Sequence, residues 1–164
     1  MTHVIAEPDF HTQLQVGDPH PLEDGSVIKV LIVDDHSFVR FSVSELLDRA
    51  GGIAVVGECA DGAHVVGAAL AVTPDVVLMD LCMPGISGLD ATRLLLRAQP
   101  SARVLVLSGS TICGTALDTA RAGAVGYLLK GGDAQELVTA IRMVATDATA
   151  WPGEPKGGTR IRAG

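Results

Sequence analysis

The sequence predicts an α/β domain: a five-stranded parallel sheet, doubly wound, with helices on both faces. Three observations carry this prediction. The runs Leu31-Ile32-Val33, Val76-Val77-Leu78-Met79, Val104-Leu105-Val106-Leu107 and Val125-Gly126-Tyr127-Leu128-Leu129 are continuously apolar, the habit of strands covered on both sides. Helical spacing recurs between such runs, so strand and helix alternate five times from Val27 to about Ala145. Connections of this kind are right-handed crossovers between parallel strands, which places helices on both faces.

The elements follow in chain order. After the first strand, Val39, Val43, Leu46, Leu47 and Ala50 keep helical spacing and Gly51-Gly52 closes the helix. Ile53 to Cys59 reads as a second strand, and Gly62 to Val72 as an alanine-rich helix weakened by Gly67. The third strand runs to Asp80 and is followed by a turn at Pro84-Gly85. Ser87 and Asp90 have the spacing of a capping box for a helix that carries Leu94, Leu95 and Ala98 and stops before Pro100. Thr111 to Ala122 is a poorly specified helix, holding Gly114 and several threonines. The last helix starts near Asp133 and puts Leu137, Ala140, Ile141 and Val144 on one face.

The flanks differ in composition. Residues 1–27 hold Pro8, Gly17, Pro19, Pro21 and Gly25 without apolar periodicity and read as a flexible N-terminal extension. Its His3, His11 and His20 are too far apart for a helical metal site and read as solvated. The folded domain is expected over 28–146. Residues 147–164, with Pro152, Pro155, Gly157 and Gly158, read as a flexible C-terminal tail or truncated linker.

Composition narrows the function classes. The chain has 164 residues, enough for one domain with a proper core. Aromatic residues make up only 3%, so aliphatic side chains must fill that core. A formal charge of -7 argues against direct nucleic-acid binding by this chain, since phosphate backbones attract basic patches. No run approaches the roughly 18 apolar residues of a membrane span. No signal-peptide core is visible among the acidic residues near the start, so a cytoplasmic location is expected. Cys59, Cys82 and Cys113 are odd in number and lack a Cys-x-x-Cys spacing. They read as reduced thiols rather than a disulfide framework, and Cys82 and Cys113 as unremarkable thiols rather than a redox pair.

The functional signal lies where the strands end. Ligands of open parallel sheets sit at the carboxyl ends of strands. Here those ends carry Asp34-Asp35, Asp80, Ser108 and Lys130. Taken singly, each has an ordinary reading, as a helix cap, a turn serine or a surface lysine. Together they place three carboxylates, one hydroxyl and one ammonium at one sheet edge, a set suited to phosphate and magnesium. Three such acids repel unless a cation intervenes. Magnesium uses one or two carboxylates, phosphate oxygens and water. Asp34 and Asp35 suit that task, whereas His36 reads as a first-turn helix residue rather than a ligand.

At this point the chain resembles a response-regulator receiver domain of two-component signalling. The matching segments are Leu-Ile-Val-Asp34-Asp35-His36, Leu-Met-Asp80-Leu-Cys-Met83-Pro84-Gly85, Ser108-Gly109 and Gly-Tyr127-Leu-Leu-Lys130, within residues 28–145. The resemblance implies a flavodoxin-like sheet of order 2-1-3-4-5. It implies Asp80 as the residue phosphorylated by a histidine kinase or phosphotransfer protein, with Lys130 and Ser108 holding the phosphoryl oxygens. It assigns Mg2+ to Asp34, Asp35, Asp80 and the backbone carbonyl of Cys82. Ser108 and Tyr127 would be the switch pair: Ser108 moves toward the phosphoryl group and Tyr127 rotates inward behind it. The surface of the fourth helix, fifth strand and fifth helix then changes for an output protein or domain. A homodimer through the fourth and fifth helices is a further implied partner. Such a module is a phosphoacceptor rather than an enzyme, promoting only its own phosphorylation and dephosphorylation.

One departure concerns the loop after Lys130. Many receivers place a proline there, and this chain has Gly131. The Lys-Gly form resembles the subgroup whose receivers precede helix-turn-helix DNA-binding domains, so an alternative is the isolated receiver part of a DNA-binding transcription regulator. A remote third reading is a magnesium-dependent phosphatase with an Asp nucleophile. That class usually carries a second acid two residues on, and here that position is Cys82.

Overall fold

A computed structural model describes residues 25–152. The strands are β1 (Ile28–Val33), β2 (Ile53–Cys59), β3 (Val76–Met79), β4 (Val104–Ser108) and β5 (Gly126–Leu129). The helices are α1 (Ser37–Ala50), α2 (Val65–Val72), α3 (Gly88–Ala98), α4 (Ala116–Ala122) and α5 (Ala134–Ala145). All pairings are parallel and the order is β2-β1-β3-β4-β5, as expected.

Residue alternation explains why the strands are apolar throughout. Val30, Ile32, Val76, Leu78, Leu105 and Leu107 face one core, shared with Val43 and Leu47 of α1 and with Leu137, Ile141 and Val144 of α5. Leu31, Val33, Val77, Met79, Val104 and Val106 face the other, shared with Val65 and Ala69 of α2 and with Ala91 and Leu95 of α3. Successive strand residues point to opposite faces, so covering both leaves no polar position until the strand ends. The first polar residue past each strand thus emerges at the sheet edge.

Two helices begin differently from the sequence expectation. The segment Gly62 to Val72 divides into a 3-10 turn, Gly62–His64, capped by Asp61, and then α2. The expected helix from Thr111 also divides, into a 3-10 turn, Thr111–Cys113, and a short α4. Gly114 separates these two pieces, with φ of 151°. A true capping box restarts the helix there: Thr115 Oγ1 accepts from Asp118 N, and Asp118 Oδ2 accepts from Thr115 N. At α3, the expected box is half made, with Ser87 Oγ accepting from Asp90 N.

The segment from Asp147, expected as tail, is held on the sheet as far as Ala150. Tyr127 N donates to Ala150 O at 2.9 Å, and Ala150 N donates to Val125 O at 3.0 Å. Ala150 thereby bridges Gly126 in parallel, covering the outer edge of β5. A side chain at Gly126 would meet Ala150 O and Leu105 Cδ1 at 2.6 and 2.7 Å, so only glycine admits this added strand. Of the expected N-terminal extension, residues 1–24 with the histidines lie outside the described residues, as does the expected tail beyond 152.

Candidate functional site

Backbone register assembles the site before any side chain contributes. Asp34 N donates to Cys59 O at 3.0 Å and Asp80 N donates to Val33 O at 2.9 Å. Lys130 N donates to Ser108 O at 2.7 Å. Asp34, Asp80, Ser108 and Lys130 are therefore fixed to the ends of adjoining strands β1, β3, β4 and β5. The start of α3 closes tightly below: Gly88 N donates to Leu81 O at 3.0 Å.

The side chains then converge. Asp34 and Asp80 are each 3% exposed, rare for carboxylates that lack compensation. Lys130 Nζ supplies it, lying 2.5 Å from Asp34 Oδ2 and 3.1 Å from Asp80 Oδ1. Burial alone would lower the Lys130 pKa, but the hydrogen bond and charge of Asp34, with the charge of Asp80, outweigh it and raise the pKa. Asp34 Oδ1 accepts from His36 N at 2.8 Å, which fixes the carboxylate and closes the turn into α1. Arg40 anchors the same turn, donating from Nη1 to Asp34 O at 2.8 Å and from Nε to Glu58 Oε2 at 2.7 Å.

Asp35 and His36 complete the cluster. Ligating atoms of Asp34, Asp35, His36 and Asp80 all lie within 4.8 Å of one another. The histidine is not in the first turn of α1 but at its N-cap. Its Nδ1 stands 3.0 Å from Asp35 Oδ1 and 3.3 Å from Asp34 Oδ1, so it joins the site despite its exposure.

A divalent cation fits this donor set. Asp35 Oδ1 and both carboxylate oxygens of Asp80 are buried without a hydrogen-bond partner. The Lys130–Asp80 distance is that of an ion pair without hydrogen-bond direction, so it leaves those oxygens with unused lone pairs. Buried oxygens of this kind are costly unless paired, and a hard cation is the partner that oxygen donors suit.

Ser108 and Tyr127 occupy the adjoining strands. Ser108 is fully buried, and its Oγ donates to Ser110 O at 2.7 Å and accepts from Ser110 N at 3.3 Å. Its hydroxyl is thus committed to its own loop. Tyr127 is 3% exposed and packs in the core on the α2–α3 face, with its hydroxyl unpaired. The resemblance had this ring swing inward; here it is inside. Gly131 has φ of 79°, a left-handed turn that proline cannot adopt, which accounts for glycine after Lys130.

The cysteines depart from the sequence expectation. Cys82 and Cys113 form a disulfide with Cα atoms 5.5 Å apart, so they are neither reduced nor unremarkable thiols. Cys59 is free, as read, and it is buried. Spacing could not reveal the pair, because 31 residues and two loops separate the partners.

An acidic cleft with one lysine, at the strand ends of a flavodoxin-like sheet, defines a class of phosphoacceptor signalling domains. Comparison with known proteins agrees. Residues 30–142 match the family described as the response regulator receiver domain. The chain is 46% identical over 121 residues to the response regulator GacA of Pseudomonas aeruginosa, covering 72% of this chain and 55% of that one. It is 43% identical over 118 residues to the response regulator UvrY of Escherichia coli, covering 72% and 54%. A two-component response regulator of the LuxR family from an Aurantimonas species superposes with a TM-score of 0.72 at 38% identity, covering 76% of this chain and 89% of that one. The chain belongs to the response-regulator receiver family, and it spans about half the length of the curated relatives it matches.

Proposed function

We propose that this receiver takes a phosphoryl group on Asp80 from a phosphohistidine of a histidine kinase or phosphotransfer protein. The observation that carries this reading is the buried Asp80 carboxylate, which accepts no hydrogen bond and whose Oδ1 lies 3.1 Å from the Lys130 ammonium. A free carboxylate lone pair attacks phosphorus, the phosphorus–nitrogen bond breaks, and imidazole leaves with the electron pair. The product is an acyl phosphate on Asp80. Phosphoryl transfer asks mainly for positioning and charge neutralisation, which the strand-end geometry supplies.

Mg2+ is the cation we assign, held by Asp34, Asp35, Asp80 and the Cys82 carbonyl. When bound, it neutralises charge on the carboxylates and on the transferring phosphoryl group. Lys130 pairs with the phosphoryl oxygens, leaving Asp34 to the metal. Ser108 exchanges its bond to Ser110 O for one to the phosphoryl group. Reversing a population from 1:99 to 99:1 needs about 5.5 kcal/mol. Bonds to charged groups contribute about 1.5–3 kcal/mol each, so Ser108 and Lys130 must both engage.

The output follows from that exchange. Ser108 leads directly into the loop before α4 and Tyr127 lies on the adjoining strand β5, so in this reading the surface of α4, β5 and α5 carries the signal to an output protein or domain. A homodimer through α4 and α5 belongs to the same reading, as does action in the cytoplasm. Within a longer transcription regulator of the LuxR type, the same surface would control a DNA-binding domain. The module is a phosphoacceptor and turns over no separate substrate.

The test is exposure to a small phosphodonor, acetyl phosphate with Mg2+, followed by intact mass. The wild-type chain gains one phosphoryl group, and Asp80→Asn gains none. Labelling of Asp80→Asn at unchanged stoichiometry would refute the assignment.

A further inference from the structure

The disulfide stands at a place where it acts on the site. Cys82 lies two residues after Asp80, on the loop whose carbonyl is assigned to the metal. Cys113 ends the 3-10 turn that follows Ser110, the residue whose carbonyl holds the Ser108 hydroxyl. One covalent bond therefore joins the phosphoacceptor loop to the loop that Ser108 must leave. Both cysteines are only half-buried, whereas Cys59 is buried.

The same two loops also touch beside the bond. Gly114, next to Cys113, is packed so closely that an added Cβ would lie 3.1 Å from Leu81 Cδ1 and from Leu89 Cδ1. Leu81 is itself next to Cys82. The thiols released by reduction thus start within reach of one another and can reclose within one molecule. Disulfides in reducing compartments are mostly transient and redox-sensing, and a half-exposed pair with a built-in route back fits that use.

We propose that Cys82 and Cys113 form a thiol–disulfide switch that gates phosphorylation of Asp80. In the oxidised chain the bond pins the loop from Ser110 to Cys113, Ser108 stays bonded to Ser110 O, and phosphoryl capture is slow. In the reduced chain the loop is released, Ser108 turns to the phosphoryl group, and capture is fast. Reduction by a dithiol breaks the Sγ–Sγ bond, returns two thiols and leaves the dithiol as its own disulfide. Reoxidation by a low-molecular-weight disulfide, such as oxidised glutathione, re-forms the bond and releases two small thiols. The switch rests on the phosphoacceptor reading of Asp80.

The experiment takes the full chain, oxidised with glutathione disulfide or reduced with dithiothreitol, and follows labelling by acetyl phosphate and Mg2+ by intact mass. Aliquots quenched with an alkylating reagent report the thiol state independently of labelling. The reduced chain should label at least about tenfold faster than the oxidised one, the worth of one charge-assisted hydrogen bond withheld. Cys113→Ser should label at the reduced rate whatever the treatment. Equal rates in both redox states would overturn the switch, as would full alkylation of both cysteines after oxidation. A Cys113→Ser chain slowed by oxidant as much as the wild type would overturn it too. Failure of every chain to label, with alkylation still toggling, would instead overturn the Asp80 reading on which the switch rests.

Discussion

Lys130 Nζ stands 2.5 Å from Asp34 Oδ2, a residue 96 positions earlier in the chain. This ion pair closes the far ends of the domain over Asp80 and neutralises part of a buried acidic cluster. Its removal reads out both stability and metal binding.

Lys130→Met leaves Asp34 buried beside Asp35 and Asp80 with no ammonium donor. Breaking a buried pair costs about 3–5 kcal/mol. Lys130 is partly solvated, so a loss of about 1–3 kcal/mol is expected in urea unfolding without metal. Mg2+ should restore more stability to the variant than it adds to the wild type, because it replaces the missing charge. A variant as stable as the wild type without Mg2+ would contradict the role given to the pair.

The raised pKa of Lys130 sets an alkaline limit. Its folded value lies above the ordinary lysine value of 10.5, so the pair's contribution is complete below that pH. It is lost as pH rises through the folded value. The stability difference between wild type and Lys130→Met should therefore be constant from neutral pH to about 10 and shrink above 10.5. A difference that grew with pH would reverse the assigned sign.

Gly88→Ala tests how tightly α3 seats against the chain that follows β3 through Asp80 and Leu81. An added Cβ would collide with the carbonyl oxygen of Asp80 and come within 2.7 Å of Leu81 Cα. These are backbone atoms, so the segment carrying Asp80 has to move. A loss of about 1–3 kcal/mol or more is expected by thermal or urea unfolding, with slower labelling of the folded fraction. Unchanged stability and labelling would show that α3 is not fixed in this way.

Tyr127→Phe separates packing from hydrogen bonding. The ring is buried and its hydroxyl has no partner, so deleting the oxygen removes an unpaid desolvation cost. Stability should stay equal or rise by up to about 1 kcal/mol. A marked loss would mean that the hydroxyl is bonded in the folded protein.

The sheet and its reactive edge were legible because of one physical rule: strands covered on both faces admit no polar residue until they end. That rule located Asp34, Asp80, Ser108 and Lys130 directly. What it could not locate depends on contacts between loops. The Cys82–Cys113 bond joins the loop after β3 to the loop after β4, which no local spacing encodes. The break in the helix from Thr111 had a local signal, the pair Thr115 and Asp118, masked by the weak helical character of its surroundings. Ala150 joins the sheet through backbone bonds opposite a glycine, leaving no mark in the hydrophobic pattern.

The most direct measurement locates the phosphoryl group. After labelling with acetyl phosphate, borohydride reduction and peptide mass spectrometry should mark Asp80 alone, and chelation of Mg2+ beforehand should abolish the mark. A phosphoryl group on any other residue, or equal labelling without divalent metal, would contradict the convergence of acids and lysine as the source of this protein's activity.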